Sequence, residues 1–204
     1  MQLRIFPPSQ GATGWVPMNL PGERATPNQT NWIALGLPDI RDIEVRLLNS
    51  NAREIPGATS LELAWEQVAL GFGLSEGKSY SVIQTPYVAV TVRREYLLHI
   101  VEKRPNARER FTEFALDTIQ NPLEIWQISY DDGSIRLAFI GAYNTKYQML
   151  VVIHADYGHA LWNFMNCDKK ALNKHRHGIL VYQRFQTAKQ KKQPEEAAFS
   201  EVGA

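Results

Sequence analysis

Ten side chains between positions 99 and 182 stand out among those whose types move protons and hold anionic oxygen. They are His99, Lys103, Arg104, Thr118, Arg136, Lys146, His175, Arg176, His177 and Tyr182. An imidazole titrates near neutral pH and serves as acid or base. Guanidinium and ammonium groups stabilise charge that develops on oxygen, best in a dry cleft. Each has a plainer reading as well. His99 also suits a surface or helix-packing position, and Lys103 and Arg104 close a helix whose dipole favours cations there. The Thr118 hydroxyl suits either a ligand or its own backbone four residues back. Arg136 and Lys146 also read as edge-strand cations that discourage aggregation. Arg108 and Arg110 adjoin Glu109 and Glu113 and read as solvated.

The elements that would position these groups follow from periodicity. Arg93 to Lys103 reads as a helix burying Tyr96, Leu97, Ile100 and Val101, with His99 at the rim of that stripe and Pro105 ending it. Asn106 and Glu109 suggest a capped second helix with Phe111, Phe114, Ala115 and Ile119 inward, stopped by Asn121-Pro122. Trp126, Ile128 and Tyr130 alternate, Asp131-Asp132-Gly133 turns, and Ile135, Leu137 and Phe139 return, which points Arg136 the other way. Met149 to Ile153 reads as a buried strand. Leu161–Phe164 and Ile179–Tyr182 read as two more, flanking the basic stretch 168–177 that holds His175, Arg176 and His177. Upstream, Thr59 with Glu62 predicts a capping box for a helix to Leu70, and Tyr80 to Val92 an interrupted strand. Five prolines and three glycines in the first thirty residues predict extended arms and turns.

Composition bounds the rest. At 204 residues, 44% apolar and with five tryptophans, the chain has material for a real core. The lone Cys167 excludes an intrachain disulfide. No signal-like apolar run and no stretch long enough to span a bilayer is present, so a cytoplasmic protein without membrane association is expected. The net charge of +1 is uneven. Residues 1–92 hold 6 Lys/Arg against 8 Asp/Glu, residues 93–192 hold 16 against 10, and 193–204 hold three glutamates and no cation. Positive charge therefore gathers where the histidine lies, as a polyanion partner would require. The expected fold is α+β. Two helices pack on a four- or five-stranded antiparallel sheet over 79–186, an irregular Pro/Gly-rich lobe with one helix spans 1–78, and a tail over 187–204 is too polar to order.

In their order, the Leu98-His99-Ile100 helix, the Phe114-to-Pro122 segment leading into Ile125-Trp126, the Lys146-to-Ile153 strand and the closing Arg176-to-Tyr182 resemble one family. It is the phage-associated branch of the barnase–EndoU–colicin–RelE-like ribonucleases, matched over about 88–186. The resemblance implies metal-independent RNA cleavage by 2′-OH transesterification, without cofactor. His99 would be acid or base, Arg136, Lys146 and Arg176 would hold phosphate, and Thr118 and Tyr182 would assist. Lys103, Arg104, His175 and His177 would be substrate contacts, one of the two last histidines being the second proton-transfer group. It also implies RNA (tRNA among the candidates) as partner and, for a toxin role, an acidic immunity or antitoxin protein. The alternatives are a non-catalytic RNA-binding or phage structural module, and a zinc hydrolase drawing on His154, His159, Cys167, His175 and His177. Those spacings fit no standard zinc site.

Overall fold

The computed structural model describes residues 24–103 and 107–185. Seven strands form one sheet: β1 (Tyr80–Ile83), β2 (Val90–Arg93), β3 (Glu124–Ser129), β4 (Ile135–Gly141), β5 (Gln148–His154), β6 (Ala160–Cys167) and β7 (Ile179–Gln183). Their order is β1-β2-β6-β5-β4-β3-β7. Four α-helices accompany them: α1 (Leu61–Gly71), α2 (Arg94–Glu102), α3 (Thr112–Gln120) and the short α4 (Lys169–Asn173). The class is α+β as expected, but the sheet is larger than four or five strands and not wholly antiparallel. The stretch 80–92 divides at Pro86 into β1 and β2, which pair antiparallel, and β2 joins β6 in parallel at Thr91 and Ala160. Thr85 holds the intervening turn by accepting from the Tyr87 and Val88 amides.

Alternation places Leu137, Phe139, Val151 and Ile153 on one face, packed under α1, α2 and α3 with Val68, Leu97, Ile100, Phe114 and Ile119. The opposite face carries Trp126, Ile128, Ala138, Ile140 and Leu150. It is covered by Leu37, Ile40 and Leu48 from the N-terminal segment and by Leu172 of α4. Residues upstream of 79 therefore supply core to both faces. This two-sided cover explains why nearly every residue of β4 and β5 is buried. It also means that Arg136, expected to meet solvent or substrate, lies on a covered face and is only 7% exposed.

Two helix starts differ from expectation. The cap of α1 is Ser60, whose Oγ accepts from the Leu63 amide at 3.2 Å; neighbouring Thr59 offers the same chemistry one residue early. Before α3, Glu109 begins a 3-10 turn and is fully buried, its Oε1 accepting from the Ala58 amide at 3.4 Å; its expected capping partner Asn106 lies outside the described residues. Asn106, Arg104, the first 23 residues and the tail from 187 lie outside the described residues. Among the described residues no helix is long and apolar enough to cross a membrane.

Candidate nuclease site

α2 brings His99 against β6. Its Nδ1 lies 2.6 Å from the Tyr96 carbonyl, which can only accept, so Nδ1 carries the hydrogen and Nε2 keeps the lone pair. Nε2 is buried without a hydrogen-bond partner of full geometry. The imidazole stands 5.8 Å from the Trp162 ring. Burial pushes its pKa down to about 4, and Lys103 and Arg108 add to that effect; the Tyr96 and Trp162 carbonyls oppose it. Arg108 reaches the same corner by donating to the Ile100 carbonyl at 3.1 Å and to Asn163 Oδ1 at 2.5 Å. His99 is therefore a neutral imidazole at pH 7 in a cationic surrounding.

Trp162 owes its position to a bulge. Val152 faces Asn163 and Ile153 faces Leu161, so Trp162 is the extra residue of β6 and leaves the alternation. Its ring collects side chains from three other elements. The Arg136 guanidinium lies 5.4 Å from its centroid and 4.2 Å from that of Tyr130. The His154 ring lies 5.0 Å away in T-shaped contact and 4.1 Å from Tyr157, which itself is 6.3 Å from Trp162. Arg136 and His154 are register partners across β4 and β5, hence on one face. Burial lowers the pKa of His154 and Arg136 adds to this, while Asp156 and Asp132 oppose it. Two imidazoles and a guanidinium thus share one indole, an arrangement able to transfer protons and to neutralise a phosphoryl group.

The remaining expected residues lie elsewhere. Lys103 is exposed at the end of α2, close enough to depress His99. Lys146 sits exposed in the β4–β5 connection, its Nζ 4.8 Å from the Tyr147 ring. That connection leaves from Gly141, five residues along β4 from Arg136 and so roughly 17 Å away. Thr118 is fully buried and shares a 2.9 Å hydrogen bond with the Tyr143 hydroxyl, against Gly141 at that same far end. Tyr182 pairs with Ile125 and packs on the helical side. Arg176 is fully buried: it donates to Glu124 at 2.8 and 2.7 Å, to the Pro38 carbonyl at 2.8 Å and to Asn173 at 2.9 Å. His177 bridges Asn31, and His175 lies beside it on the same segment. The expected convergence of His99 with Arg136, Lys146 and Arg176 therefore reduces to His99 and Arg136. Arg176 and Thr118 are engaged by buried partners, and β4 separates Lys146 from the histidine corner.

Sequence reasoning passed over His154, Tyr157, Tyr130 and Trp162 as members of this corner. One signal was present for His154: a hairpin closed by the polar stretch 142–147 sets Arg136 opposite it. The bulge that redirects Trp162 has no mark in the alternation. Among the described residues, no group of three or more His, Cys, Asp or Glu side chains stands close enough to hold a metal ion, the five once considered for zinc included.

A family model described as phage-Barnase-EndoU-ColicinE5/D-RelE like nuclease 2 matches residues 69–183, from the end of α1 to the end of β7. No curated protein and no solved structure matches the chain. The match spans more than half of the sequence and takes in every strand and both histidines of the Trp162 corner, and on that ground the chain belongs to the phage-associated barnase–EndoU–colicin E5/D–RelE-like nuclease 2 family.

Proposed function

We propose that this nuclease is a metal-independent endoribonuclease working at the Trp162 corner. His99 Nε2 takes the proton of a ribose 2′-OH, the 2′ oxygen attacks the adjacent phosphorus, and the Arg136 guanidinium stabilises the charge on the phosphoryl oxygens. The products are a 2′,3′-cyclic phosphate and a 5′-OH end. One observation carries the reading: a neutral imidazole whose Nε2 has no hydrogen-bond partner of full geometry and a guanidinium rest on the same indole. The fixed tautomer supports it too, because the Tyr96 carbonyl leaves Nε2 as the basic atom. Both groups are more than nine-tenths buried, so RNA reaches them only as side chains packed on them, Trp162 and Tyr130 among them, yield. Lys103, at the rim, would then meet the flanking phosphate. A toxin role, with an acidic partner that neutralises it, extends the reading to the excess of Lys and Arg over Asp and Glu in residues 93–192.

Purified protein incubated with total RNA in chelator should give fragments ending in 2′,3′-cyclic phosphate. The His99→Ala variant should lose roughly 100- to 10,000-fold in rate while still binding RNA. The sealed state of Nε2 favours a second reading, a module that binds RNA without cutting it. Binding with no cleavage by the unaltered chain at any concentration decides for that module.

A further inference from the structure

We infer that His154 is the general acid of this reaction, the group that protonates the 5′ oxygen as it leaves; the inference rests on the nuclease reading above. His154 closes β5 opposite Arg136, so the imidazole and the phosphate-holding guanidinium project from one face of the sheet at adjacent positions. It meets Trp162 from β5, as the register partner of Arg136, whereas His99 approaches that indole from α2. A phosphate held by Arg136 thus has one imidazole supplied by the sheet and another by the helix, as in-line displacement needs: a base at the entering oxygen and an acid at the departing one.

His154 is 4% exposed, and its Nδ1 is buried without a hydrogen-bond partner. An orphaned buried nitrogen is destabilising, because it gives up its hydrogen bonds to water and gains none. Nothing in the packing of Tyr157 and Trp162 recovers that, so the ring is held there at the expense of stability. Trp162 packs against both imidazoles, so a movement of its ring loosens the cover of both. The charges around them differ. His99 has Lys103 and Arg108 beside it. His154 has Arg136 from β4, but also Asp132 from the β3–β4 turn and Asp156 from the turn after β5, with Tyr157 packed on the ring. Burial holds both rings below the ordinary imidazole value, and of the two only His154 has carboxylates, Asp156 and Asp132, that favour its protonated form, which makes it the acid of the pair.

In the step itself the O2′–P bond forms as the P–O5′ bond breaks. The 2′-OH proton passes to His99 Nε2, and a proton from His154 passes to O5′. The two rings finish with protonation states exchanged, and solvent restores them.

The test compares two RNA oligonucleotides, alike except that one has sulfur in place of the bridging 5′ oxygen at the cleavage position. A thiol with a pKa of about 8.5 leaves as the thiolate and needs no acid. His154→Ala and His154→Gln should each slow cleavage of the oxygen substrate roughly 100-fold or more and leave the sulfur substrate little changed. His99→Ala should slow both. The alkaline fall in rate should be present for the unaltered protein on oxygen and absent on sulfur. Equal losses on both substrates, or no loss on oxygen, overturn the assignment of His154 while the nuclease reading stands. Cleavage of neither substrate by the unaltered protein overturns both. Because each variant is read as a ratio between substrates, misfolding cannot imitate the expected result.

Discussion

Arg176 and Arg136 are the same residue type, 40 positions apart in the chain, yet they do opposite work. Arg176 forms a bidentate pair with Glu124 in which both side chains are almost fully buried, at 0% and 3% exposure. Glu124 is further held by the Trp126 indole N–H at 2.8 Å. Removing one partner of such a pair strands the other charge, so Arg176→Ala should cost about 3–5 kcal/mol, read from the urea midpoint. Arg176→Lys should recover little, because an ammonium cannot reproduce the fork. A result within about 0.5 kcal/mol of the unaltered protein would return Arg176 to the list of phosphate ligands. The residue type could not separate these roles, since a bidentate guanidinium grips carboxylate and phosphate alike. What decides is a glutamate 52 positions upstream, and only the pairing of β3 with β7 brings it near.

At the level of elements, local periodicity was a good guide wherever one face of a helix or strand met the core. The helix carrying His99, the Asp131-to-Gly133 turn, and the strands on either side of it were legible for that reason. Devices that break periodicity were not legible: the bulge at Trp162, the parallel contact of β2 with β6, and the cover over the second face. A further break lies at Gly178, which enters β7 at a φ of 105° with room for no side chain. A Cβ there would sit 2.1 Å from the Gln127 carbonyl oxygen, part of the backbone of the neighbouring strand. Gly178→Ala combines a left-handed backbone with that collision. It should lower stability by about 2 kcal/mol or more, a fall of roughly 4–8 °C in Tm for a chain of this size. Unchanged melting would show that β7 enters the sheet by another path.

Across the whole molecule, burial lowers the pKa of His99, His154, His175 and His177 alike. A depressed imidazole pKa means that the unfolded chain binds more protons than the folded one below about pH 6.5. Stability should therefore hold above that pH and fall as the solution is acidified. His99 contributes its share down to about pH 4, on the order of 3 kcal/mol before screening. Urea midpoints between pH 7.5 and 4.5 should decline, and less steeply for His99→Gln than for the unaltered protein. A midpoint independent of pH in that range would mean that the histidines are open to water.

The Arg176 knot ties together Pro38, Glu124 and Asn173, so it joins early, middle and late parts of the chain. Synthesis delivers them in that order. Until the last of them leaves the ribosome, the N-terminal strap has no guanidinium to close on, and the tryptophan-bearing side of the newborn sheet stays bare. Contacts of such long reach make folding slow. A nascent chain of this protein therefore passes through an interval in which that apolar face lacks its closing contacts, and the interval ends only when the Arg176 segment before β7 is in place.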